Sequence, residues 1–238
     1  MNLTLVRHGQ AGTRLAYDVL SETGRLQASL LGRYLHTSGA RFDRWMSGHL
    51  QRQRETASLA ATGLAHGEAP SVIADDIWNE FDLDRVYNGI APKLAAAHPE
   101  FRAHWEEVQS QVEQFGDQAN AAVNRRWSPA DEMVVRAWVR GEIEFDGESW
   151  ADFRARIRRA LATMLDSGSQ SAVVFTSATP TAISVGEALG LEAPDIFQLA
   201  GALMNASYTE LRWRNGKWRL FSFNNVPHLE DRELRTHR

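Results

Sequence analysis

The chain of 238 residues contains no cysteine. That excludes disulfides, Cys-ligated zinc, iron–sulfur clusters and thiol catalysis, and it is compatible with a reducing compartment. Lysine is nearly absent as well. Of the 26 basic residues 24 are Arg, whose planar fork suits bidentate binding of phosphate or carboxylate. Gly and Pro number 17 and 7, too few for a collagen-like or low-complexity chain. Apolar runs such as Ala172 to Phe175 are far shorter than the ~20 residues of a membrane span. The opening Met-Asn-Leu-Thr-Leu-Val-Arg-His-Gly lacks the pattern of a secretory signal, so a cytoplasmic protein without a membrane partner is expected. A net charge of −4 argues against nucleic acid as the main partner.

What is present reads as strands alternating with helices. Leu3 to Val6, Phe42 to Ser47, Ser71 to Ala74 and Ala172 to Thr176 are short, β-prone segments. Helical spacing occupies Ser21 to Leu35, with Ser21 or Thr23 as its cap, and Leu50 to Leu64. Ser149 and Asp152 suggest a capping box before a helix with Phe153, Ile157, Leu161 and Met164 on one face. A further helix runs from Pro180, capped by Thr179, to near Gly190. Ser207 to Arg214 and Lys217 to Phe223 flank Asn215-Gly216, a strong hairpin signal. This pattern predicts a three-layer α/β/α sandwich with a mostly parallel mixed sheet and a C-terminal hairpin. Residues 1–238 read as one domain carrying a helical cap inserted over about 81–150. In the insert, Leu94 to Phe115 and Asp131 to Val139 look helical, and Trp105, Trp127 and Trp138 are expected to fill its core, with an aromatic lid as the alternative. It holds 13 acidic and 7 basic residues, whereas the rest of the chain is slightly basic, with 19 against 17. The acidic character therefore belongs mainly to the insert.

Chemistry concentrates at predicted strand ends, where ligands bind in open α/β sheets. Arg7-His8-Gly9 follows the first strand. Leu20 to Ala28 comes next, then Ser47 and Leu50-Gln51-Arg52-Gln53-Arg54-Glu55-Thr56-Ala57 at the second strand–helix junction. Trp78-Asn79-Glu80 follows the third strand. This ordered set resembles the histidine phosphatase superfamily, the phosphoglycerate mutase-like proteins, over most of residues 1–80 and more loosely over 150–230.

The resemblance implies the following roles. His8 is the nucleophile and forms a phosphohistidine, while Arg7 and Arg52 hold the phosphoryl oxygens. Glu80 is the proton donor, and burial beside Trp78 or Phe81 can raise its pKa. An ordinary loop carboxylate is the alternative for Glu80. Arg54, two residues from Arg52, points in a different direction and is set aside. Gln10 is a candidate substrate contact, with loop stabilisation as its alternative.

The family's second His, in a His-Gly pair after the fourth strand, is matched here by Ser177, with Ala178 in the Gly position. In one reading the Ser177 and Thr179 hydroxyls and the following helix N-terminus replace its donors and turnover survives, weakened. In the other, the chain binds a phosphate group without turning it over. A mutase is a third reading, but 81–150 does not match the mutase pattern. His49 and His228 are read as a loop residue and a structural contact. His98 and His104 are not spaced for one helical face, no His-Glu-x-x-His is present, and no P-loop or dinucleotide fingerprint occurs. The expected reaction thus requires no metal and no cofactor. The expected partner is a small phosphorylated substrate, and a homodimer is compatible with the sequence.

Overall fold

The computed structural model describes residues 1–63, 69–118, 121–124 and 127–237. The chain divides into two compact units. One comprises Met1–Ala11, Asp18–Glu80 and Arg156–Arg238, the other Gly12–Tyr17 and Phe81–Ala155.

The first unit is built on a six-stranded sheet. Its strands are β1 (Asn2–Arg7), β2 (Arg44–Ser47), β3 (Val72–Ala74), β4 (Ser171–Thr176), β5 (Tyr208–Arg214) and β6 (Lys217–Asn225). They lie in the order β3-β2-β4-β1-β5-β6. The four strands β1 to β4 are parallel, and β5 and β6 add antiparallel pairing at one edge. Asn215 and Gly216 both take positive φ, 52° and 75°, the twist a two-residue hairpin turn demands.

Alternation along the strands makes the two faces. Leu3, Leu5, Met46, Ala172 and Val174 pack with Ala160, Leu161, Met164 and Val185. The last four come from α6 (Trp150–Asp166) and α7 (Ala178–Leu189). On the other face Val6, Trp45, Val173 and Phe175 meet Leu31, Leu35, Ala57 and Ala60, from α1 (Glu22–Thr37) and α2 (Gln51–Thr62). Helices thus cover both faces of a mixed sheet, giving the α/β sandwich expected. Each fully buried Leu or Phe contributes roughly 1.5–3 kcal/mol of transfer free energy. Leu64, expected to end the second helix, lies outside the described residues.

The second unit carries α3 (Leu83–Ala97), α4 (Pro99–Phe115) and α5 (Pro129–Arg140). The single helix expected over Leu94 to Phe115 is therefore two. Pro99 has no N–H to continue α3, and a residue before proline avoids helical geometry. His98 accordingly sits at φ −128°, ψ 100°. Trp138 is buried against Phe81 and Trp150, with ring centroids 4.5 and 5.4 Å away. Trp127 is 37% exposed, and so departs from the expected core role; it lies just before the Ser128 cap of α5. Arg14, distant in sequence, joins this unit. Its Nε donates to the Val123 carbonyl over 2.6 Å and its Nη1 to Asp131 over 3.1 Å.

A further helix, α8 (Ala193–Ala202), follows α7, beyond what the sequence periodicity announced. Among the described residues no helix is long and apolar enough to cross a membrane.

Candidate active site

Register brings four strand ends side by side. Arg7 pairs with Thr176, and Ser47 with Phe175 and Ala74. The pairing extends one residue further where His8 N donates to Thr176 O over 2.9 Å and Gly48 N to Phe175 O over 3.0 Å. His8 and Ser177 therefore follow adjacent strands at one level. Gly9 lets the loop pack closely on Gly24, because a Cβ on it would stand 2.4 Å from the Gly24 carbonyl oxygen.

His8 is 2% exposed. Its Nδ1 lies 2.7 Å from the Gly9 carbonyl, a group that only accepts, so Nδ1 carries the proton. Nε2 is then the lone-pair nitrogen, and it accepts from Arg52 Nε over 3.2 Å. Burial, then the Arg52 and Arg7 charges, hold the ring well below its ordinary pKa, against a smaller pull from the Gly9 carbonyl. The result is a neutral imidazole with its free nitrogen turned to a guanidinium.

Arg52 is 5% exposed. It lies in the first turn of α2, and its Nη1 also meets Asp18 Oδ1 at 2.7 Å. The other Asp18 oxygen accepts from Gln51 N over 3.0 Å. Asp18 thereby supplies a carboxylate at the N-terminus of α2, whose N-cap, Leu50, has no side-chain acceptor of its own. Thr56, one turn on, accepts from Gly9 N over 3.0 Å and ties the His8 loop to the helix. Arg7 is 6% exposed, and its guanidinium donates to the carbonyls of Leu203 and His237.

Glu80 is reached through a chain of turns. Asp75 caps the turn Asp76–Trp78, and Trp78 is 1% exposed. Arg156 then holds the segment by donating to the carbonyls of Ile77 and Asn79 over 3.0 and 2.9 Å. Half-buried Glu80 accepts from Thr179 N over 3.1 Å. The N-cap of α7 is Ser177 rather than Thr179, and its hydroxyl makes no capping bond. Pro180 falls in the first helical turn, where a missing N–H costs little. Glu80 occupies the acceptor position that an N-cap side chain ordinarily fills.

Other expected residues are placed as follows. Gln10 N donates to Gln27 Oε1, and its own Oε1 accepts from Ser21 Oγ, each over 2.8 Å. Ser21 also caps α1 through Gly24 N. Arg54 and His49 are exposed, and His228 is buried against Tyr34. Among the described residues no group of three or more His, Asp or Glu is arranged to hold a metal ion. The sequence reasoning passed over Asp18 and Gln53, and only the position of Gln53, beside Arg52 on the motif helix, offered a signal.

Fold and site together define an α/β protein with a buried neutral histidine next to an arginine at the strand ends. The chain belongs to the histidine phosphatase superfamily (branch 1), which matches residues 3–143 and 132–226. It is 26% identical over 185 residues to the mitochondrial serine/threonine-protein phosphatase Pgam5 of Drosophila mojavensis, covering 69% of this chain. It spans 57% of that relative's length. Among solved structures it is similar to the alpha-ribazole phosphatase of Shigella flexneri, with TM-score 0.59 and 18% identity over 95% of this chain and 97% of that one. A mycobacterial glucosyl-3-phosphoglycerate phosphatase gives TM-score 0.55 and 22% identity over 94% and 99%. At these identities the two structures bear on the fold alone.

Proposed function

We propose that the protein is a phosphatase that hydrolyses a small phosphomonoester through a phosphohistidine on His8. The observation that carries this reading is the pairing of His8 Nε2 with Arg52 Nε in a buried, neutral imidazole. A nucleophile for phosphorus must present a lone pair at neutral pH, and the proton on Nδ1 leaves Nε2 with one.

In the first half-reaction His8 Nε2 attacks phosphorus, and the bond from phosphorus to the ester oxygen breaks. Arg52 and Arg7 stabilise the charge on the phosphoryl oxygens. Glu80 gives its proton to the departing oxygen, and the alcohol leaves. In the second, Glu80 takes a proton from water as the water attacks phosphorus, the N–P bond breaks, and inorganic phosphate leaves with His8 restored. These steps use side chains of the first unit. No metal or organic cofactor takes part, and a cytoplasmic setting belongs to the same proposal. The test is hydrolysis of an aryl phosphate by wild type and His8→Ala. Loss of turnover in the variant is expected, and equal rates contradict the mechanism.

Ser177 in place of a histidine favours one second reading, a module that binds a phosphate group without turnover. Removing one preorganised donor typically costs about 100- to 1000-fold in rate. A wild type that binds inorganic phosphate but hydrolyses no aryl or alkyl phosphate would select the second reading.

A further inference from the structure

Gln53 is fully buried beside Arg52 on α2, and the proposed steps leave it unused. Its carboxamide touches two other segments and the cap of its own helix. Nε2 lies 2.8 Å from Ser177 Oγ and 3.3 Å from the Trp78 carbonyl, and Oε1 accepts from Leu50 N over 3.3 Å. The Trp78 carbonyl only accepts and the Leu50 N–H only donates, so the two ends of the amide are not interchangeable. The nitrogen must face Ser177. Both of its protons are then spent, one on Trp78 and one on Ser177.

This fixes the role of the hydroxyl. Ser177 Oγ accepts from Gln53, so its own proton points elsewhere. Ser177 is 1% exposed, and among the described residues nothing accepts that proton. The hydroxyl does not cap its own helix either, because Glu80 takes the Thr179 N–H instead. A buried donor left over just past the strand next to His8 is available to a ligand.

We propose that Gln53 is a positioning residue. It holds Ser177 as an acceptor on one side, so that the Ser177 proton is delivered to a phosphoryl oxygen at His8. The pair does together what the family's second histidine does alone. This inference rests on the phosphate pocket proposed above. It has a steric corollary: an imidazole at position 177 meets the Gln53 carboxamide, so a histidine fits there only when residue 53 is shortened.

The experiment is calorimetry of the full chain with inorganic phosphate. The proteins are wild type, Gln53→Met, Ser177→Ala and the double variant. Methionine keeps length and volume without the amide. Gln53→Met and Ser177→Ala should each weaken binding by about tenfold, the value of one oriented donor. The double variant should be no weaker than Ser177→Ala. A purely structural role for Gln53 predicts the same loss in both backgrounds and overturns the inference, as does a Gln53→Met indistinguishable from wild type. If Gln53→Met does not fold, Ser177→His decides. It should bind phosphate more weakly than Gln53→Ala/Ser177→His, and equal or tighter binding overturns the inference. A wild type that binds no phosphate overturns the pocket itself, and the inference with it.

Discussion

Arg52 Nε donates to His8 Nε2 across 3.2 Å, and the same guanidinium reaches Asp18 Oδ1 at 2.7 Å. In the proposed mechanism one arginine thus orients the attacking nitrogen and carries the charge that an incoming phosphoryl group needs. A lysine provides the charge but not the planar fork. Arg52→Lys is expected to lower kcat/KM for an aryl phosphate by about 100-fold or more, with unfolding little changed.

The pH dependence follows from His8. Its ring is held well below 6.5, first by burial and then by Arg52 and Arg7. The imidazole is uncharged on both sides of pH 6.5. The rate should therefore show no inflection near 6.5 from an exposed imidazole, and its acid limb should fall at lower pH. A kcat/KM profile from pH 4 to 8 measures this.

In the proposed mechanism Asp18 shares Arg52 with the substrate. Its side chain is 49% exposed, so the pair is screened and its coupling is modest. A carboxylate at that place also repels an incoming dianion. Asp18→Asn is expected to tighten inhibition by inorganic phosphate about two- to fivefold, read as Ki at low salt.

The candidate site is legible in the sequence where chemistry rides on local pattern. Arg7-His8 ends an unambiguous strand, and Arg52 sits in a motif that fixes its helical face. Asp18 was hidden because it lies in a loop without periodicity, and its link to Arg52 spans 34 residues. Gln53 carries no role in the sequence pattern, and only the fold buries it against Ser177. The cap of α7 was displaced for the same reason: Thr179 had the right side chain, but Glu80, 99 residues away, supplies the acceptor. In the hairpin, by contrast, Asn215-Gly216 carries its own backbone geometry.

Stability should depend on pH through two buried histidines. His228 is lowered to about 4, chiefly by burial and against a smaller pull from the Ala206 backbone. His8 is lowered in the same direction. Below about pH 6.5 the unfolded chain protonates these rings and the native chain does not, so the unfolded state binds more protons. Stability is full above 6.5 and is lost as pH falls. His228 alone accounts for roughly 3 kcal/mol between pH 6.5 and 4. Urea denaturation at pH 7, 6 and 5 should show a falling midpoint, and His228→Phe, which keeps a ring against Tyr34, should flatten the slope.

The central claim is that phosphorus becomes bonded to His8. The direct measurement is intact-protein mass spectrometry after millisecond mixing with an aryl phosphate and an alkaline quench. The expected result is the mass of one phosphoryl group on wild type. It should be labile to acid, located on the peptide containing His8 and absent from His8→Ala. Turnover of the ester by wild type with no trapped adduct, or an adduct that persists in His8→Ala, would contradict the account.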